Sequence, residues 1–516
     1  MTSVSVEARP DLRTPARLAG VTAAVVALAV TELARAVTAD VPSLVVSVGD
    51  VFVDGLPGDV TRTVIGAIGT ADKPALLIGI VVISALIGAR TGTAALDRPW
   101  VGDTVFAAFA LLGALAGLRA PLATDGGAVV SAVLGGVAGA GTLRLLLGTA
   151  RSWTAPAHPG GADAGRRQFL VLAGSVGLFA GVVGLVGRSL GLSRTVESAR
   201  RDVVLPEVRG GTTPTAADAG LDVDGITPLV TPNDDFYRID TALTVPQVDP
   251  ASWSLRIDGM VDEPVDLTYA DLLELPVEEH QVTIACVSNE VGGDLVGNAR
   301  WLGVPLRDLL ERAGVRDGAT QVMGHSVDGF TAGFPTELLD DPDRPALVAV
   351  GMNGEPLPIA HGFPARLIIG GIYGYVSATK WLRRIELTTL EAADGYWIPR
   401  GWAKEAPIKT QCRIDTPRGD QGAGRVPVAG VAWAPTRGIS KVEVQVDEGP
   451  WEAARLGPGT NDDRWVQWVY DWRPTPGRYR LRARATDGAG DTQTADVAPP
   501  APDGATGYPT RVVNVS

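Results

Sequence analysis

The sequence predicts a multi-domain chain. Its parts are an N-terminal α-helical transmembrane bundle of about five spans, an α+β domain and a C-terminal all-β Ig-like sandwich. Three observations carry this. Long apolar runs crowd the first 195 residues of a 516-residue chain. Charge is divided unevenly, with 15 Lys+Arg against 12 Asp+Glu in residues 1–195 and 30 against 46 in the remainder. From about residue 227 the long runs give way to short alternating segments, first mixed with helical patterns and then purely β-like. The boundaries fall at 1–195 for the bundle, 196–226 for a polar Gly/Thr/Ala-rich linker, 227–405 for the α+β domain and 406–516 for the sandwich. A net charge of −13 argues against nucleic acid as a partner. Two Cys and four His exclude a disulfide scaffold, a Cys₄ zinc site and a multi-Cys iron–sulfur cluster.

The predicted spans are 18–37, 74–91, 103–120, 126–148 and 168–190. Each suits a hydrocarbon core of roughly 30 Å at about 1.5 Å per residue. Asp72 and Pro74 are a suitable start for the second, as N-cap and first-turn residues. Arg9, Arg13 and Arg17 precede the first span, Arg90 and Arg98 follow the second, and Arg144, Arg151, Arg166 and Arg167 surround the loop before the fifth. The other loops carry Arg62, Lys73 and Arg119 against Asp40, Asp50, Asp54, Asp59 and Asp72. The positive-inside rule then puts the N-terminus in the cytoplasm and everything after about residue 195 outside a multi-pass plasma-membrane anchor. Gly-Arg-Arg-Gln-Phe-Leu at 165–170 resembles a twin-arginine export signal, or serves as an ordinary basic anchor. No His lies in a span, and His158 sits in a loop, which argues against a membrane b-type haem with paired His ligands. Glu32 is a costly intramembrane carboxylate to which the sequence assigns no role.

In the α+β part, 252–258 and 280–286 alternate as strands, while 268–275 and 305–313 read as short helices started by Thr268 and Pro305. Cys286 ends its strand and enters a turn, Cys-Val-Ser-Asn-Glu-Val-Gly-Gly. A lone thiolate there can give one soft bond to a metal that an organic cofactor brings. Taken alone, it reads rather as a small buried apolar residue, the usual fate of a free Cys.

Its context points to the former. Residues 231–240 read Thr-Pro-Asn-Asp-Asp-Phe-Tyr-Arg-Ile-Asp, residues 297–306 Gly-Asn-Ala-Arg-Trp-Leu-Gly-Val-Pro-Leu, and residues 361–381 HGFPARLIIGGIYGYVSATKW. With the strand ending at Cys286, these resemble the sulfite-oxidase-like molybdopterin oxidoreductases over roughly 227–405, with a matching C-terminal domain beyond. The resemblance implies a molybdenum–molybdopterin cofactor with Cys286 as the thiolate on the metal. It implies pterin contacts from Asn233, Phe236 and Tyr237, and from His361 and Arg366, the last two also near the phosphate. Ser377, Ala378, Thr379 and Lys380 resemble the phosphate-end loop, where small residues let backbone N–H groups approach an anion and a cation neutralises it. Asn289 shapes the turn beside the metal, or is an ordinary turn Asn.

Two departures bear on substrate. Where sulfite-oxidising members carry an Arg in the first motif, this chain has Ile239, and Phe330 stands where they carry an active-site Tyr. Losing a cation and a hydroxyl weakens a small dianion. The resemblance therefore leans to the reductase-like branch and to oxygen-atom transfer on an S- or N-oxide, with a small-molecule substrate and an unidentified electron-transfer partner. Asp328, Glu290 and His325 are candidate acids or bases, or ordinary loop residues. A sulfite oxidase-type dehydrogenase stays open. So do a metal-free cysteine hydrolase pairing Cys286 with His325 or His361, and an anchored scaffold.

From about 406, strand-like segments 426–433, 439–447, 464–472 and 477–485 alternate with turns, and Trp451, Trp465, Trp468 and Trp472 supply aromatic bulk. This predicts an Ig-like sandwich, which by the resemblance supports a homodimer. Cys412 reads as structural.

Overall fold

The computed structural model describes residues 11–37, 41–55, 72–120, 124–151, 161–190, 194–208, 220–459 and 462–516. Asp40, Asp59, Arg62, His158 and the linker stretch 209–219 lie outside them. The chain divides into two compact units, residues 1–195 with 242–244, and residues 196–241 with 245–516.

The first unit is helical. Its elements are α1 (Arg13–Val37), α2 (Leu44–Asp54), α3 (Asp72–Asp97), α4 (Trp100–Gly117), α5 (Asp125–Arg151) and α6 (Gly161–Leu190). Four of them, within α1, α3, α4 and α5, are long and apolar enough to cross a membrane. The predicted fifth span lies within α6, whose side chains are described only in part. Outward faces are apolar: Ile83 is 58% exposed, Leu111 62% and Val137 67%. Such a surface suits hydrocarbon rather than water. Between bundle helices there is no hydrophobic drive in lipid, so close backbone packing must hold them. Gly20 and Gly88 provide it between α1 and α3. A Cβ on Gly20 would fall 1.8 Å from the Gly88 carbonyl oxygen.

Helix α2 corrects the sequence reading, which took 38–73 as loop. Ser43 starts it, its Oγ accepting from Val46 N–H at 3.3 Å. With 11 residues it is too short for a span, which is why a length-based reading passes over it.

Helix α7 (Arg194–Arg201) runs into the second unit, so the first part of the predicted linker is structured. Arg200 docks there, donating to the carbonyls of Leu357 at 2.9 Å and Pro356 at 2.8 Å and pairing with Glu355. The α+β part holds β1 (Ser254–Gly259), β2 (Val265–Thr268), α8 (Tyr269–Glu274), β3 (Glu278–Ala285), β4 (Val296–Pro305), α9 (Leu306–Ala313), β5 (Gln321–Ser326), β6 (Thr331–Pro335), β7 (Ala346–Met352), β8 (Glu355–Pro356), β9 (Arg366–Ile369), α10 (Gly374–Ser377) and β10 (Leu382–Thr388). One sheet runs β2-β1-β10-β5-β6, with β1 and β10 parallel. The other runs β3-β4-β7-β8, with β9 also on β7. Helix α8 begins with a capping box between Thr268 and Asp271, and α9 ends at Gly314 in the left-handed region (φ 67°).

Beyond these lie β11 (Gln411–Thr416), β12 (Val426–Trp433), β13 (Ile439–Val446), β14 (Trp451–Ala453), β15 (Arg455–Leu456), β16 (Val466–Trp472), β17 (Gly477–Asp487) and β18 (Thr510–Val515). They form two four-stranded sheets, β11-β12-β16-β15 and β14-β13-β17-β18. Val428, Val442, Trp468, Leu481 and Cys412 share their core. Burial pushes the Cys412 thiol up, as expected of a structural cysteine.

Candidate active site

Cys286 follows directly on β3, an eight-residue strand paired with β4 from Glu278–Gly303 to Ala285–Val296. Its N–H donates to Leu295 O at 2.9 Å, and its carbonyl accepts from Asn289 N–H at 3.0 Å. Asn289 closes the loop, its Oδ1 accepting from Leu295 N–H at 2.9 Å. Asn289 is thus a turn residue, its side chain tying the loop that follows Cys286. Cys286 is 9% exposed, and burial pushes its thiol up while hydrogen bonding at Ser288 opposes. A Cβ on Gly374, at the start of α10, would lie 3.7 Å from Ala285 O and 3.9 Å from the Tyr237 hydroxyl. Burial pushes the Tyr237 hydroxyl up, with the nearby Cys286 adding to that and Arg366 opposing it.

The first motif lies across these strands. Phe236 stacks on Tyr237 with centroids 5.3 Å apart and meets Trp301 and His361 edge-on at 5.7 and 5.6 Å. Gly297 on β4 makes room for it, since a Cβ there would come within 2.6 Å of the Phe236 ring. Asn233 is fixed by Asn353, whose Nδ2 donates to Asn233 Oδ1 at 2.8 Å, and its own Nδ2 donates to Glu355.

His361, Arg366 and Lys380 form a buried basic group at 5%, 3% and 9% exposure. His361 Nε2 lies 3.2 Å from Asn233 O, an acceptor, so Nε2 carries the proton and Nδ1 is left as acceptor. Burial first, then Arg366 and Lys380, push this imidazole down to about 4, so it is neutral near physiological pH. Arg366 donates from Nη1 to His361 O at 3.0 Å and sits 4.9 Å over the Trp301 ring. Burial pushes its guanidinium down to about 10. Lys380 donates to Ala360 O at 3.1 Å and pairs with Asp240 at 2.9 Å, which also pairs with Arg238.

The phosphate-end loop is placed less simply than its composition suggests. The Ser377 hydroxyl donates back to Tyr373 O at 3.1 Å, and the Ala378 N–H closes α10 on Gly374 O at 2.9 Å. Those two groups are already used within the chain. Thr379 is fully buried with an Oγ1 that lacks a partner. Arg366 Nε and Asn289 Nδ2 are likewise buried without partners. Each such atom is costly to bury unless a polar group satisfies it. Arg366, a buried cation with an unsatisfied Nε, fits an anionic organic cofactor. Among the described residues no group of three or more His, Cys, Asp or Glu converges on a metal, so a metal bonded to Cys286 needs its other ligands from such a group.

The candidate acids and bases separate. His325 on β5 lies 2.9 Å from Glu386, and burial pushes it down. Glu290 is exposed. Asp328 is the most enclosed: burial pushes its carboxyl up, Oδ1 accepts from Phe330 N–H at 3.1 Å, and Asp240 and Lys380 are close enough to act on it. Neither His361, bonded to Asn233 O, nor His325, bonded to Glu386, is hydrogen-bonded to Cys286 as a cysteine hydrolase requires. Sequence reasoning missed Asp240, Asn353 and Trp301. Arg238-x-Asp240 in the first motif carried the signal for Asp240. The other two depend on strand pairing that a single sequence does not reveal.

Burial lowers the Lys380 ammonium to about 8, with Asp240 pulling it back. By the resemblance Lys380 neutralises the cofactor's phosphate, and its charged form is present below that value and lost as pH rises through it. Cofactor loading of the apo chain therefore declines between about pH 7 and about pH 9, measured as molybdenum per chain after reconstitution. In Lys380→Gln the loading is low and flat over the same range. A flat wild-type profile contradicts the assignment of Lys380.

Comparison with known proteins gives the family. The family described as "Oxidoreductase molybdopterin binding domain" matches residues 242–397. The chain is 36% identical over 154 residues to Uncharacterized oxidoreductase YuiH of Bacillus subtilis (strain 168), covering 30% of this chain and 74% of that one. It is 30% identical over 273 residues to mitochondrial sulfite oxidase of Mus musculus, covering 44% and 49%. It is 33% identical over 178 residues to NADH nitrate reductase of Solanum lycopersicum, covering 30% and 19%. The match spans about half the length of the sulfite oxidases. Residues 242–397 are therefore a domain of the molybdopterin-binding oxidoreductase class, whose cofactor is molybdenum–molybdopterin. The chain belongs to the sulfite-oxidase-like family of these enzymes.

Proposed function

We propose that this chain is a membrane-anchored oxidoreductase with its catalytic unit outside the plasma membrane, acting on an S- or N-oxide rather than on sulfite. When bound, the molybdenum–molybdopterin supplies oxygen-atom transfer with a two-electron change. In this reading the Cys286 Sγ gives the protein's bond to the metal. His361 and Arg366 hold the pterin, Lys380 and Thr379 take the phosphate end beside Ser377 and Ala378, and Asn233, Phe236 and Tyr237 line the pterin's other side. Asn289 holds the turn that aims the thiol.

The observation that carries the substrate preference is what stands at the two departures. Ile239 is 44% exposed, and the Phe330 ring lies 5.9 Å from Tyr396, so neither position offers a cation or a hydroxyl of its own. A small dianion lacks its anchor there, while an organic oxide with apolar substituents does not need one. Steady-state assays with an artificial electron carrier test this. An S- or N-oxide is expected to turn over with kcat/KM at least about 100-fold above sulfite. Sulfite oxidation at equal or greater efficiency overturns the preference.

The anchor reading is supported by the outward apolar faces and by the distribution of Arg among the loops. Arg166 and Arg167, both exposed, are read with it as an export signal for a chain that folds around its cofactor before crossing. The two C-terminal sheets are read as an Ig-like sandwich. Their strand orders support this, because they follow the A-B-E-D and C-F-G arrangement of that fold. By family likeness this sandwich is a candidate homodimer surface.

A further inference from the structure

Arg200 lies in α7, outside the residues 242–397 that match the family. Its side chain is 12% exposed, and all three guanidinium nitrogens are engaged. Nε donates to Leu357 O at 2.9 Å, and Nη2 donates to Pro356 O at 2.8 Å and to Glu355 Oε2 at 2.9 Å. Nη1 lies 3.5 Å from Glu197 Oε1. The next residue, Arg201, is 73% exposed and pairs with Glu197 on its own helix.

The hairpin of β7 and β8 that Arg200 grips also holds the first motif. Glu355 Oε1, the second oxygen of the same carboxylate, accepts from Asn233 Nδ2. That nitrogen also lies 3.3 Å from Met352 O. Asn353, in the turn between the strands, donates from Nδ2 to Asn233 Oδ1 at 2.8 Å and to Thr231 O at 2.9 Å. Both ends of the Asn233 amide are thus used within the chain. What Asn233 gives His361 is its backbone carbonyl, 3.2 Å from Nε2. A continuous row of bonds therefore runs from Arg200 through Glu355 and Asn233 to His361. Burial raises the Glu355 carboxyl, but Asn233 and Arg200 together bring it below its usual value, so it takes both donors as a carboxylate. Charge-assisted bonds of this kind are the stronger ones.

We propose that Arg200 is a positioning residue for the cofactor site. It fixes Glu355, Glu355 and Asn353 fix Asn233, and the Asn233 carbonyl holds His361 with its proton on Nε2 and Nδ1 as acceptor. The inference rests on the reading of His361 as a residue that holds the pterin.

The test uses the full chain in detergent, made in a host that supplies the cofactor. Molybdenum per chain is followed through dilution and repeated desalting. Arg200→Ala and Glu355→Ala are each expected to lose the metal about tenfold faster than wild type, the lower end for groups that stand behind a ligand. The double variant is expected to lose it no faster than either, because both act by one route. Arg201→Ala is expected to match wild type. Nitrogen-15 NMR of the histidine-labelled chain reads the tautomer, with His361 assigned from the spectrum of His361→Gln. Wild type is expected to show the Nε2–H form, and Arg200→Ala and Glu355→Ala a mixture of both. Arg200→Lys, which keeps the charge with fewer donors, is expected to lie between wild type and Arg200→Ala in both readings. Glu355 is half exposed, so Glu355→Ala keeps the test decisive where Arg200→Ala fails to fold. Wild-type loss rates in Arg200→Ala and Glu355→Ala overturn the proposal. So do effects that multiply in the double variant, or faster loss with an unchanged His361 signal, which marks a merely structural role. His361→Gln separates the two readings. Wild-type retention there refutes His361 as a pterin holder, whereas rapid loss there beside wild-type retention in Arg200→Ala and Glu355→Ala refutes this inference alone.

Discussion

Cys286→Ser lowers oxidoreductase turnover by more than about 100-fold and leaves the fold intact. Groups that only support a metal ligand are worth about 10- to 100-fold when removed, so the ligand itself must be worth more. Serine has nearly the volume of cysteine, and the turn around it is closed by backbone groups of residues 286 and 295 and by Asn289, none of which the exchange touches. What changes is the soft thiolate. The measurement is turnover with an artificial electron carrier, alongside the metal-centred absorption of the purified variant. Wild-type turnover in Cys286→Ser contradicts the assignment. Lost turnover with an unaltered metal spectrum would place the thiol's role away from the metal.

Arg366→Met empties the chain of its cofactor while leaving the apo chain no less stable. Arg366 is 3% exposed, its Nε has no partner, and it lies over Trp301. In the absence of ligand such a group is costly, because a buried charge without full hydrogen bonding loses more hydration than it regains. Methionine keeps much of the stem's packing against Trp301 without the charge. Molybdenum content of protein made in a cofactor-competent host is expected to fall at least about tenfold, as for a lost charge-assisted hydrogen bond. The thermal midpoint of the apo variant is expected to equal or exceed that of apo wild type. A structural role for Arg366 predicts the reverse, a lower midpoint with cofactor content falling only in step with unfolded protein.

Much of this was legible from residue order alone. Thr268 and Asp271 announce the start of α8, and Gly314 the end of α9, because caps are local. The strand before Cys286 is readable from its alternation, and the outer sheets from theirs. The pairing of β1 with β10, parallel and more than a hundred residues apart, is not local and was not legible. Nor was α2, whose apolar stretch is too short for the length rule that identifies spans. Cys286, His361, Arg366 and Lys380 were singled out through their motifs. Asp240 was not, because a carboxylate looks out of place beside a phosphate site until it is seen to hold Lys380. The Ser377 hydroxyl and the Ala378 N–H are bonded within a four-residue helix, which residue order did not reveal.

The central claim is that Cys286 and the buried basic group around Arg366 hold a molybdenum–molybdopterin. Elemental analysis tests it most directly, on the full chain purified in detergent from a host that makes the cofactor, with Cys286→Ser measured beside it. About one molybdenum per wild-type chain is expected, with the metal lost or spectroscopically altered in the variant. Wild-type protein without molybdenum from such a host, or the same content and spectrum in both, contradicts the account.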